Sequence, residues 1–168
     1  MIHYYWHSRR CIVTNDNDKE EALPRKPIYG YGVLRRLFVG KQILVVDDKN
    51  ELLHLMRRVL EDEEYEVYIL QDGKDAFMRV KTQLPDLLIL DLKLGDISGQ
   101  DILKQLKADP IVAEIPVIVY TAAVLEAEQV TRSVESNPDL YQSVHVVQKP
   151  FDLESLLALV KKTLEESE

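Results

Sequence analysis

The sequence has a single cysteine, Cys11, which excludes an intramolecular disulfide framework and a cysteine-rich zinc site and fits a reducing, cytoplasmic setting. No apolar run approaches the ~18 residues that a membrane-spanning helix needs, and Met1 to Cys11 lacks the apolar stretch of a secretory leader. No membrane partner is expected. Positive charge is also short: 21 Lys and Arg face 29 Asp and Glu, a net −8. That balance argues against nucleic-acid binding through the bulk surface. There is no low-complexity tract and no internal repeat beyond the alternation described below. What remains is an ordinary globular composition, 46% hydrophobic and 30% charged, in a chain long enough for one well-buried domain and short for two.

Residues 1–40 differ from the rest. They carry seven Lys and Arg against four Asp and Glu, so residues 41–168 carry −8 − 3 = −11. Half of the aromatics lie here, and neither a period of 2 nor one of 3.6 persists. The middle, Thr14 to Pro27, is polar and holds two prolines. We read 1–40 as a flexible N-terminal extension and 41–168 as the folded domain. His3, His7 and Cys11 fall four apart, but three candidates with no helix signal do not make a metal site.

From Lys41 the pattern becomes regular. Gln42–Val46, Tyr65–Leu70, Asp86–Asp91, Pro116–Thr121 and Val144–Val147 are short, mostly apolar runs between turn signals, as expected of strands buried on both faces. Helical spacing fills the gaps. Asn50 can cap a helix carrying Leu52, Leu55, Met56, Val59 and Leu60, and Asp72-Gly73 opens one through Ala76, Phe77 and Val80. Ser98-Gly99 leads to Ile102, Leu103 and Leu106, stopped by Asp109-Pro110. A fourth helix spans about Ala123 to Val134, broken by Ser136 to Asp139, and Asp152 caps a last one with Leu153, Leu156, Leu157, Val160 and Leu164. Five strand–helix units in strict alternation predict an α/β fold, a doubly wound five-stranded parallel sheet with helices on both faces.

In such sheets ligands bind at the carboxyl ends of the strands. That edge would collect Asp47, Asp48, Asp91, Thr121 and Lys149. Three carboxylates crowded together repel unless a cation joins them, and oxygen-only ligands at an open site suit Mg²⁺. A metal lowers the charge barrier for a carboxylate nucleophile meeting a phosphoryl group. A lysine offers a mobile positive charge, and a threonine a neutral donor. Each residue alone has an ordinary explanation as a cap, a turn or a strand end. Chance capping does not account for the lysine.

The chain here resembles the receiver domain of two-component response regulators, a flavodoxin-like (CheY-like) fold with strand order 2-1-3-4-5. The resemblance covers Lys41 to about Leu164. It rests on Ile43-Leu44-Val45-Val46-Asp47-Asp48, on Pro85-Asp86-Leu87-Leu88-Ile89-Leu90-Asp91, on Ile115 through Ala122, and on Lys149-Pro150-Phe151. It implies that Asp91 accepts a phosphoryl group from a phosphohistidine on a sensor histidine kinase or phosphotransfer protein. It implies a Mg²⁺ held by Asp48, Asp91 and the Lys93 backbone carbonyl, with Asp47 acting largely through water. Thr121 and Lys149 match the hydroxyl and lysine that contact the phosphoryl group, and the Lys149–Pro150 bond is expected to be cis.

Three features depart from the family pattern. Leu94-Gly95 stands where many members read Met-Pro, in a loop that Gly99 still closes. Val146 stands three before the lysine, where an aromatic usually couples to the threonine. Glu135 to Ser143 is longer than the usual link. The chain ends soon after its last helix, so the expectation is a stand-alone receiver that passes its signal to a downstream protein, not directly to nucleic acid. Two other readings compete. One is a receiver-like interaction module that works without phosphorylation. The other is a Mg²⁺-dependent aspartyl phosphatase, disfavoured because Asp47-Asp48-Lys49 lacks an Asp-x-Asp pattern and Lys93, not an acid, lies two beyond Asp91. A flavin-binding relative is weaker still, because the loop after the first strand is acidic.

Overall fold

The computed structural model describes residues 3–7, 10–14, 21–22, 40–95 and 97–167. The chain divides into two compact units, Met1–Val39 and Gly40–Glu168. In the first, β1 (His3–His7) pairs antiparallel with β2 (Arg10–Thr14), which pairs antiparallel with β3 (Glu21–Ala22). Neither the turn signals nor the residue periodicity of this stretch announces those strands. The backbone at His3, His7 and Cys11 is extended, so they share no helix face. The expectation of a flexible extension falls mostly on residues outside the described ones.

The second unit follows the expected alternation. Its elements begin β4 (Gln42–Val46), α1 (Asn50–Asp62), β5 (Glu66–Leu70), α2 (Ala76–Gln83) and β6 (Leu87–Leu90). A small antiparallel pair, β7 (Lys93–Leu94) and β8 (Ile97–Ser98), leads into α3 (Gly99–Ala108). Then come β9 (Val117–Thr121), α4 (Val124–Ser136), the short α5 (Pro138–Tyr141), β10 (Val144–Gln148) and α6 (Leu153–Glu166). The five main strands pair in the order β5-β4-β6-β9-β10, all parallel, which is the order 2-1-3-4-5.

The central strands are largely apolar, with Gln42 and Thr121 only at their ends, because both of their faces are covered. Ile43, Val45, Leu87, Ile89, Ile118 and Tyr120 pack with Leu53, Met56 and Leu60 of α1 and Leu156, Val160 and Leu164 of α6. On the other face, Leu44, Val46, Leu88, Leu90, Val117 and Val119 pack with Val80 of α2, Leu103 and Leu106 of α3 and Val130 of α4. Each fully buried aliphatic side chain contributes roughly 1.5–3 kcal/mol relative to exposure, so this double layer holds the strand ends in register.

Local details differ from the sequence pattern. Helix α1 begins at Asn50, and Lys49 holds the cap position with no side-chain cap. The Lys49 N–H instead donates to Asp47 Oδ1 at 2.6 Å, because that carboxylate points back into the turn. The buried stripe of α1 runs through Leu53, Met56 and Leu60, while Leu55 is 46% exposed. Both leucines fit a helical period, and Leu53 is the one that shares a face with Met56 and Leu60 against the sheet. The stretch after α4 is not merely a link: Pro138 starts α5, and Tyr141 at its end is buried. Asp72 and Asp152 cap as expected, accepting from the N–H groups of Lys74 and Ser155 at 2.9 Å and 2.7 Å.

Candidate functional site

Ladder hydrogen bonds continue past the strand ends and place the polar residues side by side. The Asp91 N–H donates to the Val46 carbonyl at 2.9 Å, so the residue after β6 lies next to Asp47 at the end of β4. The Lys149 N–H donates to the Thr121 carbonyl at 2.8 Å, which holds the residue after β10 beside the last residue of β9. The Lys149–Pro150 bond is cis. Four of the five main strands therefore deliver Asp47, Asp48, Asp91, Thr121 and Lys149 to one edge.

Asp47 and Asp91 are buried, and they share one ammonium. Lys149 Nζ lies 2.7 Å from Asp91 Oδ2 and 2.9 Å from Asp47 Oδ2. The Lys93 N–H, in β7, donates to Asp91 Oδ1 at 3.1 Å. Burial pushes the Asp91 carboxyl above its ordinary range; Lys149 and the Lys93 N–H oppose this, and the neighbouring Asp47 charge adds to the rise. Burial acts on Asp47 in the same sense, but hydrogen bonds from Tyr120, Lys149 and Lys49 outweigh it and hold that carboxyl below its ordinary range. Asp48 is exposed, and among the described residues its carboxylate has no hydrogen-bond partner. The buried Thr121 hydroxyl accepts from the Ala123 N–H at 3.1 Å, and its own proton has no acceptor among the described residues.

Oxygens of Asp47, Asp48 and Asp91 all lie within 4.8 Å of one another. Three carboxylates against the single ammonium of Lys149 leave the site net negative. A hard cation with oxygen ligands fits that donor set. Asp48 has lone pairs to spare, whereas Asp47 already accepts three hydrogen bonds, from Lys49, Tyr120 and Lys149.

One residue of the site, Tyr120, was not legible as such in the sequence, and Gly99, expected to close the loop after Asp91, does so by close backbone approach. Tyr120 donates its hydroxyl to Asp47 Oδ2 at 2.6 Å. A signal existed, since a tyrosine in an otherwise aliphatic buried strand needs a partner for its hydroxyl. Gly99 gives close approach: a β-carbon there would stand 2.2 Å from the Asp91 carbonyl oxygen. Val146, by contrast, is half-buried on the α4 side of the sheet and brings no ring to the site.

Fold and site together define a doubly wound parallel sheet with an acidic, lysine-bridged centre at its carboxyl edge. The response regulator receiver domain model matches residues 43–161, well over half of the chain, and the chain belongs to that family. It is 38% identical over 123 residues to the phosphate regulon transcriptional regulatory protein PhoB of Rhizobium meliloti (strain 1021), covering 73% of this chain and 52% of that protein. It is 33% identical over 130 residues to the alkaline phosphatase synthesis transcriptional regulatory protein PhoP of Bacillus subtilis (strain 168), covering 77% and 51%. The chain thus spans about half the length of these relatives. Among solved structures, a CheY-like response regulator receiver domain protein from Methanospirillum hungatei JF-1 superposes with a TM-score of 0.62 at 29% identity, covering 76% of this chain and 96% of that one. No helix among the described residues is long and apolar enough to cross a membrane.

Proposed function

We propose that this chain is a phosphoacceptor switch of a two-component or phosphorelay system, acting in the cytoplasm. Asp91 takes a phosphoryl group from a phosphohistidine on a sensor histidine kinase or phosphotransfer protein, and a downstream protein reads the changed surface. The domain itself makes no direct contact with nucleic acid or membrane. The observation that carries this reading is the Lys149 ammonium bridging Asp91 and Asp47 at 2.7 Å and 2.9 Å, with a Thr121 hydroxyl on the adjacent strand whose proton has no acceptor among the described residues.

In the transfer, an Asp91 carboxylate oxygen bonds to phosphorus as the phosphorus–nitrogen bond breaks, and the imidazole leaves with that electron pair. Lys149 moves its ammonium from the carboxylates onto a phosphoryl oxygen. Thr121 donates its unused proton to another. Asp48, Asp91 and the Lys93 carbonyl would hold Mg²⁺, with Asp47 reaching it largely through water. When bound, the metal neutralises charge where anion meets anion. The acyl phosphate is then lost by slow hydrolysis without multiple turnover, so the chain is a switch and not an enzyme.

The test is Mg²⁺-dependent labelling with acetyl phosphate or saturation with beryllofluoride. The native chain takes up the group and Asp91→Ala does not. Equal uptake by both, or none by the native chain, overturns the reading. Val146 motivates a second reading, an interaction module indifferent to phosphorylation. A partner that binds native protein and Asp91→Asn equally, with and without phosphodonor, would select it.

A further inference from the structure

Tyr120 belongs to the core by its ring and to the site by its hydroxyl. The ring is fully buried on the α1 and α6 side of the sheet and meets Phe151 edge-on, with centroids 5.9 Å apart. The hydroxyl donates to Asp47 Oδ2 at 2.6 Å, and Lys149 Nζ donates to the same oxygen at 2.9 Å. The Lys149 ammonium also lies over the Tyr120 ring, 4.1 Å from its centroid. The three groups close a triangle in which each touches the other two.

Each side of the triangle removes a freedom the chemistry cannot tolerate. With Oδ1 held by the Lys49 N–H, the Tyr120 hydroxyl pins the second oxygen of Asp47, so the carboxylate plane is set. A lysine has a flexible four-carbon stem, and an ammonium left to two carboxylates alone would be drawn outward by water. The negative face of an aromatic ring, well within the ~6 Å range of the interaction, gives it a floor. The Lys149 side chain is only 13% exposed, so little water competes for that position.

We propose that Tyr120 is a positioning residue of the phosphoacceptor site: its hydroxyl sets the Asp47 carboxylate, and its ring holds the Lys149 ammonium against Asp91 where phosphoryl oxygens arrive. This rests on the phosphoacceptor reading above. It assigns the aromatic partner of the site to the strand before Thr121, on the sheet face opposite Val146.

The experiment compares the full native chain with Tyr120→Phe and Tyr120→Leu. Acetyl phosphate labelling at saturating Mg²⁺ yields the limiting rate constant and the donor half-saturation separately. The metal-free proteins are also followed by NMR, where an ammonium seated on the ring moves the Lys149 methylene protons upfield. Tyr120→Leu, which removes ring and hydroxyl together, is expected to lose the upfield displacement and about thirtyfold in limiting rate, the scale of a desolvated cation–π contact and one hydrogen bond combined. Tyr120→Phe keeps the ring, retains the displacement and loses about threefold, the scale of one hydrogen bond. Donor half-saturation stays native in both, since Tyr120 does not touch the donor. Native limiting rates in both folded variants, or a Lys149 displacement that survives Tyr120→Leu, overturn the proposal. Failure of the native chain to label is a separate result, which removes the phosphoacceptor reading and this inference with it.

Discussion

Gly99 and Asp91 stand backbone to backbone: a β-carbon on Gly99 would lie 2.2 Å from the Asp91 carbonyl oxygen and 2.7 Å from the Leu92 Cα. Helix α3 can start where it does only because nothing projects from its first residue, and the Gly99 N–H donates to the Leu92 carbonyl at 2.9 Å. Main-chain atoms cannot rotate out of the way. Gly99→Ala should therefore lower unfolding stability by about 1–3 kcal/mol and slow Mg²⁺-dependent labelling of Asp91. Urea unfolding and acetyl phosphate uptake measure the two effects.

Lys149→Met should be more damaging without metal than with it. The ammonium is the cation shared by the two buried carboxylates, Asp47 and Asp91. Its removal leaves them facing each other, at a cost of about 3–5 kcal/mol. Mg²⁺ held at the proposed site would take over part of the neutralisation, so the stabilisation it brings should be larger in Lys149→Met than in the native chain. Thermal unfolding with and without Mg²⁺ reads this directly, and an equal shift in both proteins would contradict it.

Asp48→Asn should separate metal binding from folding. Asp48 is exposed, its carboxylate has no hydrogen-bond partner among the described residues, and it crowds Asp47 and Asp91, so metal-free stability should not fall and should rise as that repulsion is relieved. The rise in melting temperature produced by Mg²⁺ should nevertheless shrink, because an open oxygen ligand is gone.

Lys107 predicts an alkaline rise in stability. It is buried at the end of α3, where its ammonium donates to the carbonyls of Ala113 and Ile115 at 2.7 Å and 3.0 Å. Burial pulls it down to about 8, against the opposing charge of Glu114. In the unfolded chain the same group titrates near 10.4. Between those values the unfolded state binds more protons, so stability rises with pH across that window, by about 3 kcal/mol at most. Urea unfolding at several pH values should show this rise in the native chain relative to Lys107→Met, and a flat difference between the two proteins would refute it.

Much of the site could be read because most of its polar residues sit at or just past a strand end. Asp47, Asp91, Thr121 and Lys149 terminate or directly follow short apolar runs, and the parallel alternation sends all those ends to one edge. Tyr120 could not be placed in this way. A strand covered on both faces has no alternation of apolar and polar residues, so none tells which way a ring points. Lys107 was silent for another reason. A lysine in the last turn of an amphipathic helix usually lies in water, and only the loop at Ala113 to Ile115 folding over it supplies carbonyls to bury it.

Local pattern alone encodes the alternation of strands and helices, the doubly buried sheet and the identity of the acids at its carboxyl edge, because periodicity and turn residues act over a few positions. Tertiary structure decided the rest. Leu53 rather than Leu55 faces the core, because it shares a helix face with Met56 and Leu60 against the sheet. The Lys149 ammonium joins carboxylates 102 and 58 residues earlier in the chain and rests on the ring of Tyr120. Those contacts depend on the packing of several strands at once, and no local pattern of residues encodes them.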